Sequence, residues 1–283
     1  MGYLITTASR IWEALLSAIG SHLTLSLGGI LFLGFPVAFW AGAYGYAIVA
    51  KSGIAIGLSL FVGMDLALLS GIVFAFFYRR LSNESFAVIT LASVLAAEAL
   101  IRSWDSLTGG VLGIAGVPRF YRSQTLLSLM LCAAIVACIG LALESLLAHS
   151  SFGRSLRALK ENKSALTALG TSAQWTGAAA VLFAALCAGV AGIFTAARVQ
   201  FLDPSLGGFV LLVQVLTIAI IANTPKTLRL FAITALIVLL PEMLRFFDLP
   251  VSILGHARNL LYGFLLIFLI YYTAYITPLK RYV

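Results

Sequence analysis

Apolar residues run in long, nearly unbroken stretches along this chain, and charged residues fall mostly at the ends of those stretches. About 20 apolar helical residues cover the roughly 30 Å of bilayer hydrocarbon. Lipid also demands that backbone groups be satisfied internally, which leaves helices or closed barrels. Barrel strands read as short alternating segments, and these continuous runs do not. The pattern predicts helices at about 3–21, 23–49, 53–78, 83–102, 123–148, 174–197, 205–223, 227–247 and 257–276. The first is amphipathic enough to lie in the membrane interface. The expected fold is therefore an all-α, polytopic membrane bundle of about 8 (7–9) crossings in one domain spanning 1–283.

Two places depart from a plain spanning helix. The run from Ser26 to Gly45 carries Gly28, Gly29, Gly34 and Pro36 at membrane depth. Proline lacks an N–H donor and clashes with the preceding turn, so a kinked or broken helix is expected near Phe35. Such breaks survive in a bilayer only when buried in protein or lining a cavity. The letters SLGG at Ser26–Gly29 recur at Ser205–Gly208, consistent either with an internal repeat or with chance in a Leu- and Gly-rich chain. Glycines between Trp104 and Gly116 suggest a re-entrant or tight outer loop.

Composition sharpens this picture. Hydrophobic residues make up 61% and charged residues 10%, with a mean hydropathy of +1.07. Soluble domains carry roughly 25% charged residues. The net charge of +8 comes from cations scattered at span ends, the pattern of the positive-inside rule. It does not suggest a nucleic-acid surface. Placing Arg79 and Arg80, the cluster Arg154, Arg157, Lys160 and Lys163, and the terminal Lys280 and Arg281 in the cytoplasm requires an even number of crossings between clusters. The predicted spans supply it, putting the C-terminus in the cytoplasm and 103–122 and Asp203–Pro204 outside. Cys132, Cys138 and Cys187 sit in apolar runs without metal or disulfide spacing, and no cleavable signal is read.

Residues 150–173 form the one long polar segment, with helical spacing of Leu156, Leu159, Ala165, Leu166 and Leu169 against Arg157, Lys160, Glu161 and Lys163. Gly170 is a helix stop, with Thr171 and Ser172 capping the next helix. Physical chemistry leaves two readings open. The helix lies on lipid headgroups, or it docks in a cleft of a cytoplasmic partner.

This segment resembles the cytoplasmic coupling loop of ABC-importer permeases. Ser164, Ala165 and Leu166 precede Gly170 at that loop's EAAxxxG spacing, without its acidic residue. FGRSLRALKENKSALTALG is similar to the loop of the branched-chain amino-acid permease family, whose close relatives carry urea or short amides. LGGILFLGFPVAFWAGAYGYA (from Leu27), FAVITLASVLAAEALIRSWDSLTGGVLGIAGVP (from Phe86) and LLPEMLRF (from Leu239) resemble further segments of that family in the same order. The chain departs from the family at Ile221–Arg229, where IANTPKTLR replaces a glycine-rich turn, and so resembles a divergent member.

The resemblance implies a permease subunit of an ABC importer in a bacterial inner membrane, and not an enzyme. It implies coupling residues Arg154, Arg157, Lys160, Glu161, Ala165, Leu166, Leu169 and Gly170. Implied partners are a homologous permease chain forming a heterodimer, two ATPase subunits holding ATP and Mg, and a periplasmic or lipid-anchored binding protein. No cofactor is expected in this chain, which has no GxxxxGK[ST] phosphate loop.

Ionisable groups inside a membrane are costly and therefore functional candidates. Asp65 and Glu98, with the aromatics Phe35, Phe39 and Tyr44, are candidates for the substrate path. Each also has a structural reading: a helix-to-helix hydrogen bond for Asp65, pairing with Arg102 for Glu98, packing for the aromatics. Glu144 is placed at the cytoplasmic edge near His149, and Glu242 near Arg245. His22, His149 and His256 fall at span ends as interfacial groups without metal spacing. An ion-coupled secondary transporter is the alternative, with Asp65 its one mid-depth acid.

Overall fold

Small residues decide which helices of this bundle meet. In the computed structural model, residues 2–120, 125–222 and 227–243 are described, with residues 260, 263, 264, 267, 268 and 271 beyond them. Helix α9 (Ala173–Val199) runs through the middle and is 72% buried over its most apolar window. It packs against α1 (Gly2–Ser21), α2 (Phe35–Lys51) and α3 (Ile56–Arg80). A Cβ on Gly42 of α2 would stand 2.3 Å from the Gly189 carbonyl oxygen of α9, and one on Gly192 2.1 Å from the Phe39 carbonyl oxygen. Lipid gives helices no hydrophobic reason to associate, so close approach of small-residue faces supplies the attraction.

The remaining long helices surround this centre. They are α4 (Asn83–Ser103), α6 (Leu126–His149), α10 (Phe209–Ile221) and α11 (Thr227–Met243). Helices α3, α4 and α6 show broad apolar outer faces, with Phe61, Ile72, Val88, Leu95, Ile135 and Leu146 all exposed. Such faces suit hydrocarbon. Among the described residues five helical segments are long and apolar enough to cross a membrane: Ile56–Arg80, Asn83–Ser103, Leu126–His149, Ala173–Val199 and Pro204–Ile221. Helices α2 and α11, at 17 residues each, are shorter. The chain is an all-α polytopic membrane protein. The expected span at 257–276 and the terminal cations lie largely outside the described residues, as do Asn223–Lys226 of the family-divergent turn and Arg245.

The N-terminal span differs from its expected interfacial placement. Helix α1 continues without a break into a π-helix, His22–Leu27, and its second half is buried against α6 and α9. The polar residues that make it look amphipathic, Glu13, Ser17 and Ser21, are buried as well. Their spacing suggests a stripe facing water, whereas Glu13 finds its partners inside the bundle.

The expected break is present, over Gly28–Gly34. Gly29 has φ +63, which suits glycine, and the helix resumes at Phe35 with Pro36 in its first turn. There the missing N–H costs nothing, so the proline starts a helix instead of interrupting one. The break is enclosed: Leu33 N–H donates to Thr90 Oγ1 at 3.3 Å, and Phe32 stacks on Phe86 with ring centres 6.0 Å apart.

The connections gather at two ends. At one, a short helix α5 (Asp105–Thr108) leads to strand β1 (Ile114–Ala115), which pairs antiparallel with β2 (Phe201–Leu202), Ile114 opposite Leu202. This joins the glycine-rich loop to the Asp203–Pro204 connection. At the other end lie Arg79, whose guanidinium carbon sits 3.7 Å from the ring centre of Trp175, and the polar segment.

Candidate coupling surface and transport path

The polar segment forms two helices. Helix α7 (Ser151–Glu161) buries Leu156 and Leu159. Leu156 closes on Gly28 and the Lys160 stem closes on Gly29, so α7 lies against the break in the α1–α2 connection. Arg157 donates to the Ala148 carbonyl at 3.1 Å. Asn162 then ends α7, and its Oδ1 accepts from the N–H groups of Ser164 (3.0 Å) and Ala165 (3.1 Å) to start α8 (Lys163–Ala168). Asn is a strong N-cap because its side chain satisfies the orphan donors of a first turn. Gly170 at φ +81 turns the chain out of α8, and Ser172 caps α9.

The candidate coupling residues divide by exposure. Leu166 is 3% exposed and Leu169 80% exposed. Arg154, Lys160, Glu161, Ala165 and Gly170 are exposed, and Arg157 is half-buried. Helix α8 therefore projects a small apolar tip, Ala165 and Leu169, from a base that Leu156, Leu159 and Leu166 fasten to the bundle.

Three polar groups join helices far apart in sequence. Arg198 of α9 donates to Glu13 of α1 through Nε (2.6 Å) and Nη2 (2.9 Å), and Thr195 Oγ1 donates to the same carboxylate at 3.0 Å. Glu242 of α11 accepts from Arg10 and from Tyr3 Oη. The expected neighbour of Glu242, Arg245, lies outside the described residues. His22 and Glu144 meet at 2.5 Å with side chains 1% and 2% exposed, which corrects the interfacial placement of both. Sequence reasoning did not find these pairs. The available signal was the coincidence of acids and cations inside apolar runs, where a lone charge is expensive.

The candidate path residues do not converge on one site. Phe35, Phe39 and Tyr44 are buried along α2, and the Tyr44 hydroxyl has no hydrogen-bond partner among the described residues. Trp40 Nε1 donates to the Pro204 carbonyl at 3.1 Å, and Tyr46 Oη to the Pro118 carbonyl at 2.6 Å, tying α2 to the loops around Pro118 and Pro204. Glu98 pairs with Arg102 one turn on at 2.7 Å. Asp65 is half-buried between exposed Met64 and Leu66, on the side of α3 away from Gly63, Ala67 and Gly71, which pack on α2 and α9.

The fold thus fastens the exposed α8 tip, through α7, to the break between α1 and α2. Two curated proteins are similar to the chain, both named high-affinity branched-chain amino acid transport system permease protein LivM. The one from Escherichia coli (strain K12) is 24% identical, covering 98% of this chain and 70% of its own length. The one from Salmonella typhimurium (strain LT2) is likewise 24% identical, with the same coverage. No solved structure matches the chain. The family model described as branched-chain amino acid transport system / permease component matches residues 3–270, nearly the whole chain, and the protein belongs to that family of membrane transport permeases.

Proposed function

We propose that this chain is the membrane-spanning permease subunit of an ABC importer for branched-chain amino acids. Separate ATPase subunits drive it, an extracytoplasmic binding protein feeds it, and a homologous permease completes the path. It resides in a bacterial inner membrane with its C-terminus in the cytoplasm. The observation that carries this reading is the α7–α8 segment, a helix pair seated through Leu156, Leu159 and Leu166 that leaves Leu169 exposed at the end of the bundle that holds Arg79. Alternating access needs two arrangements of one packed unit and an external bias between them. Nucleotide-driven movement of a docked subunit supplies that bias through α8. The chain's own contribution is positional: α7 holds the tip, and α9 with its small-residue faces allows neighbouring helices to slide at close range.

The test is ATP-dependent uptake of labelled leucine, isoleucine or valine by proteoliposomes holding the chain with its co-purified partners. Uptake that requires ATP and the binding protein supports the proposal. Uptake driven by an ion gradient without ATP overturns it.

A further inference from the structure

We infer that the π-helix His22–Leu27 is the joint through which movement of α7 reaches α10, and that His22, Ser26 and Glu144 are its positioning residues. This rests on the coupling role proposed for α7 and α8.

Six residues carry ties to three helices. Lys160 Nζ of α7 donates to the Ser26 carbonyl at 2.8 Å. The Ser26 hydroxyl donates to the Ala219 carbonyl of α10 at 2.7 Å. His22 Nε2 lies 3.2 Å from the carbonyl of Ala222, the residue that ends α10, and Nδ1 lies 2.5 Å from Glu144 Oε1 of α6. Carbonyls in the last turn of a helix have no partner within the helix, and the ties to α10 use two of these C-terminal carbonyls. The π-turn widens the helix here, and Ile30 N–H reaches back to the Thr24 carbonyl at 2.9 Å.

The chemistry of the His22–Glu144 contact supports a positional role. A carbonyl only accepts, so Nε2 carries a proton and donates to Ala222. Nδ1 then either donates to a carboxylate or accepts from a carboxylic acid. Both arrangements hold one shared proton and leave the pair neutral as a whole. Glu144 Oε2 is buried without a hydrogen-bond partner among the described residues. An apolar pair would fill this space at lower desolvation cost, whereas the polar pair ties the π-helix to α6 through a directional contact.

The experiment compares Glu144→Ala, Glu144→Gln and Ser26→Ala in the chain with its co-purified ATPases and second permease, reconstituted in proteoliposomes. Glu144→Ala and Ser26→Ala are expected to lower solute moved per ATP hydrolysed by about tenfold while ATP hydrolysis persists. Glu144→Gln, whose amide can donate to Nδ1, is expected to stay near the wild-type ratio. A wild-type ratio in both Glu144→Ala and Ser26→Ala overturns the inference; if the Glu144→Ala chain does not assemble, Ser26→Ala decides. Hydrogen exchange of residues 151–161 in the purified chain separates this inference from the functional reading. Faster exchange in Glu144→Ala than in Glu144→Gln upholds the joint even where no ATP-driven transport is found. Equal exchange in the two overturns it.

Discussion

Glu13 and Arg198 face each other across α1 and α9 through two parallel hydrogen bonds, 185 residues apart in the chain. Bidentate guanidinium–carboxylate geometry is among the strongest polar contacts available to side chains. Here it fastens the helix that carries the π-turn to the central helix of the bundle. Removing one partner of a buried pair leaves an uncompensated charge, at a cost of about 3–5 kcal/mol. Glu13→Ala should therefore lower the midpoint of thermal unfolding in detergent sharply. The double variant Glu13→Leu/Arg198→Leu should recover most of that loss. A Glu13→Ala chain as stable as wild type would show that the pair does not fasten these helices.

Leu166 and Leu169 are three residues apart and do different work. Leu166 is buried, so Leu166→Ala should cost about 2–5 kcal/mol through lost burial and a residual cavity. Leu169 is exposed and touches little, so Leu169→Ala should change stability by less than about 0.5 kcal/mol. Thermal unfolding of the two purified variants checks this. Equal destabilisation would mean that the α8 tip is packed inward.

Gly192 lies where the Phe39 carbonyl leaves no room for a side chain. Gly192→Leu should push α2 and α9 apart and give little folded protein on expression, as judged by a monodisperse peak in size-exclusion chromatography. Normal yield and elution would show that these helices are not held at this distance.

The Tyr44 hydroxyl is buried without a partner among the described residues. An unsatisfied buried hydroxyl costs about 1–3 kcal/mol. Tyr44→Phe should then raise stability by about 1 kcal/mol in the absence of solute. A drop in stability would reveal a hydrogen bond that the buried hydroxyl makes.

Much of the fold was legible because lipid imposes one rule on long apolar runs. The long apolar helices among the described residues, the break before Phe35 and the gathering of Arg79 with the polar segment at one end follow from apolar length, proline chemistry and the spacing of cations. What escaped sequence reading was pairwise. Glu144 sits close to His149 in sequence and looks like an edge residue, yet its partner is 122 residues away. Glu242 also meets Arg10 from 232 residues upstream, a contact that nothing in its local sequence announces. Local spacing predicts local partners, and a helical bundle brings distant ones together instead. Asn162 was missed for another reason: within a polar segment, nothing in the pattern distinguishes an asparagine that caps a new helix from one that rides on the old one. The candidate coupling residues were legible as a segment, while the division between a buried base and an exposed tip needed the packing of α7 on Gly28 and Gly29. The path residues were chosen by type alone, and type does not say which face of α3 carries Asp65.

The most direct test of the coupling role is a mild-detergent purification of the tagged chain from its native membrane, wild type beside Leu169→Asp, with co-purifying proteins identified by mass spectrometry. Walker-motif ATPases and a second hydrophobic permease are expected with the wild-type chain, and loss of the ATPases alone with Leu169→Asp. Recovery of the wild-type chain without any ATPase, or of ATPases equally with both chains, would rule the coupling role out.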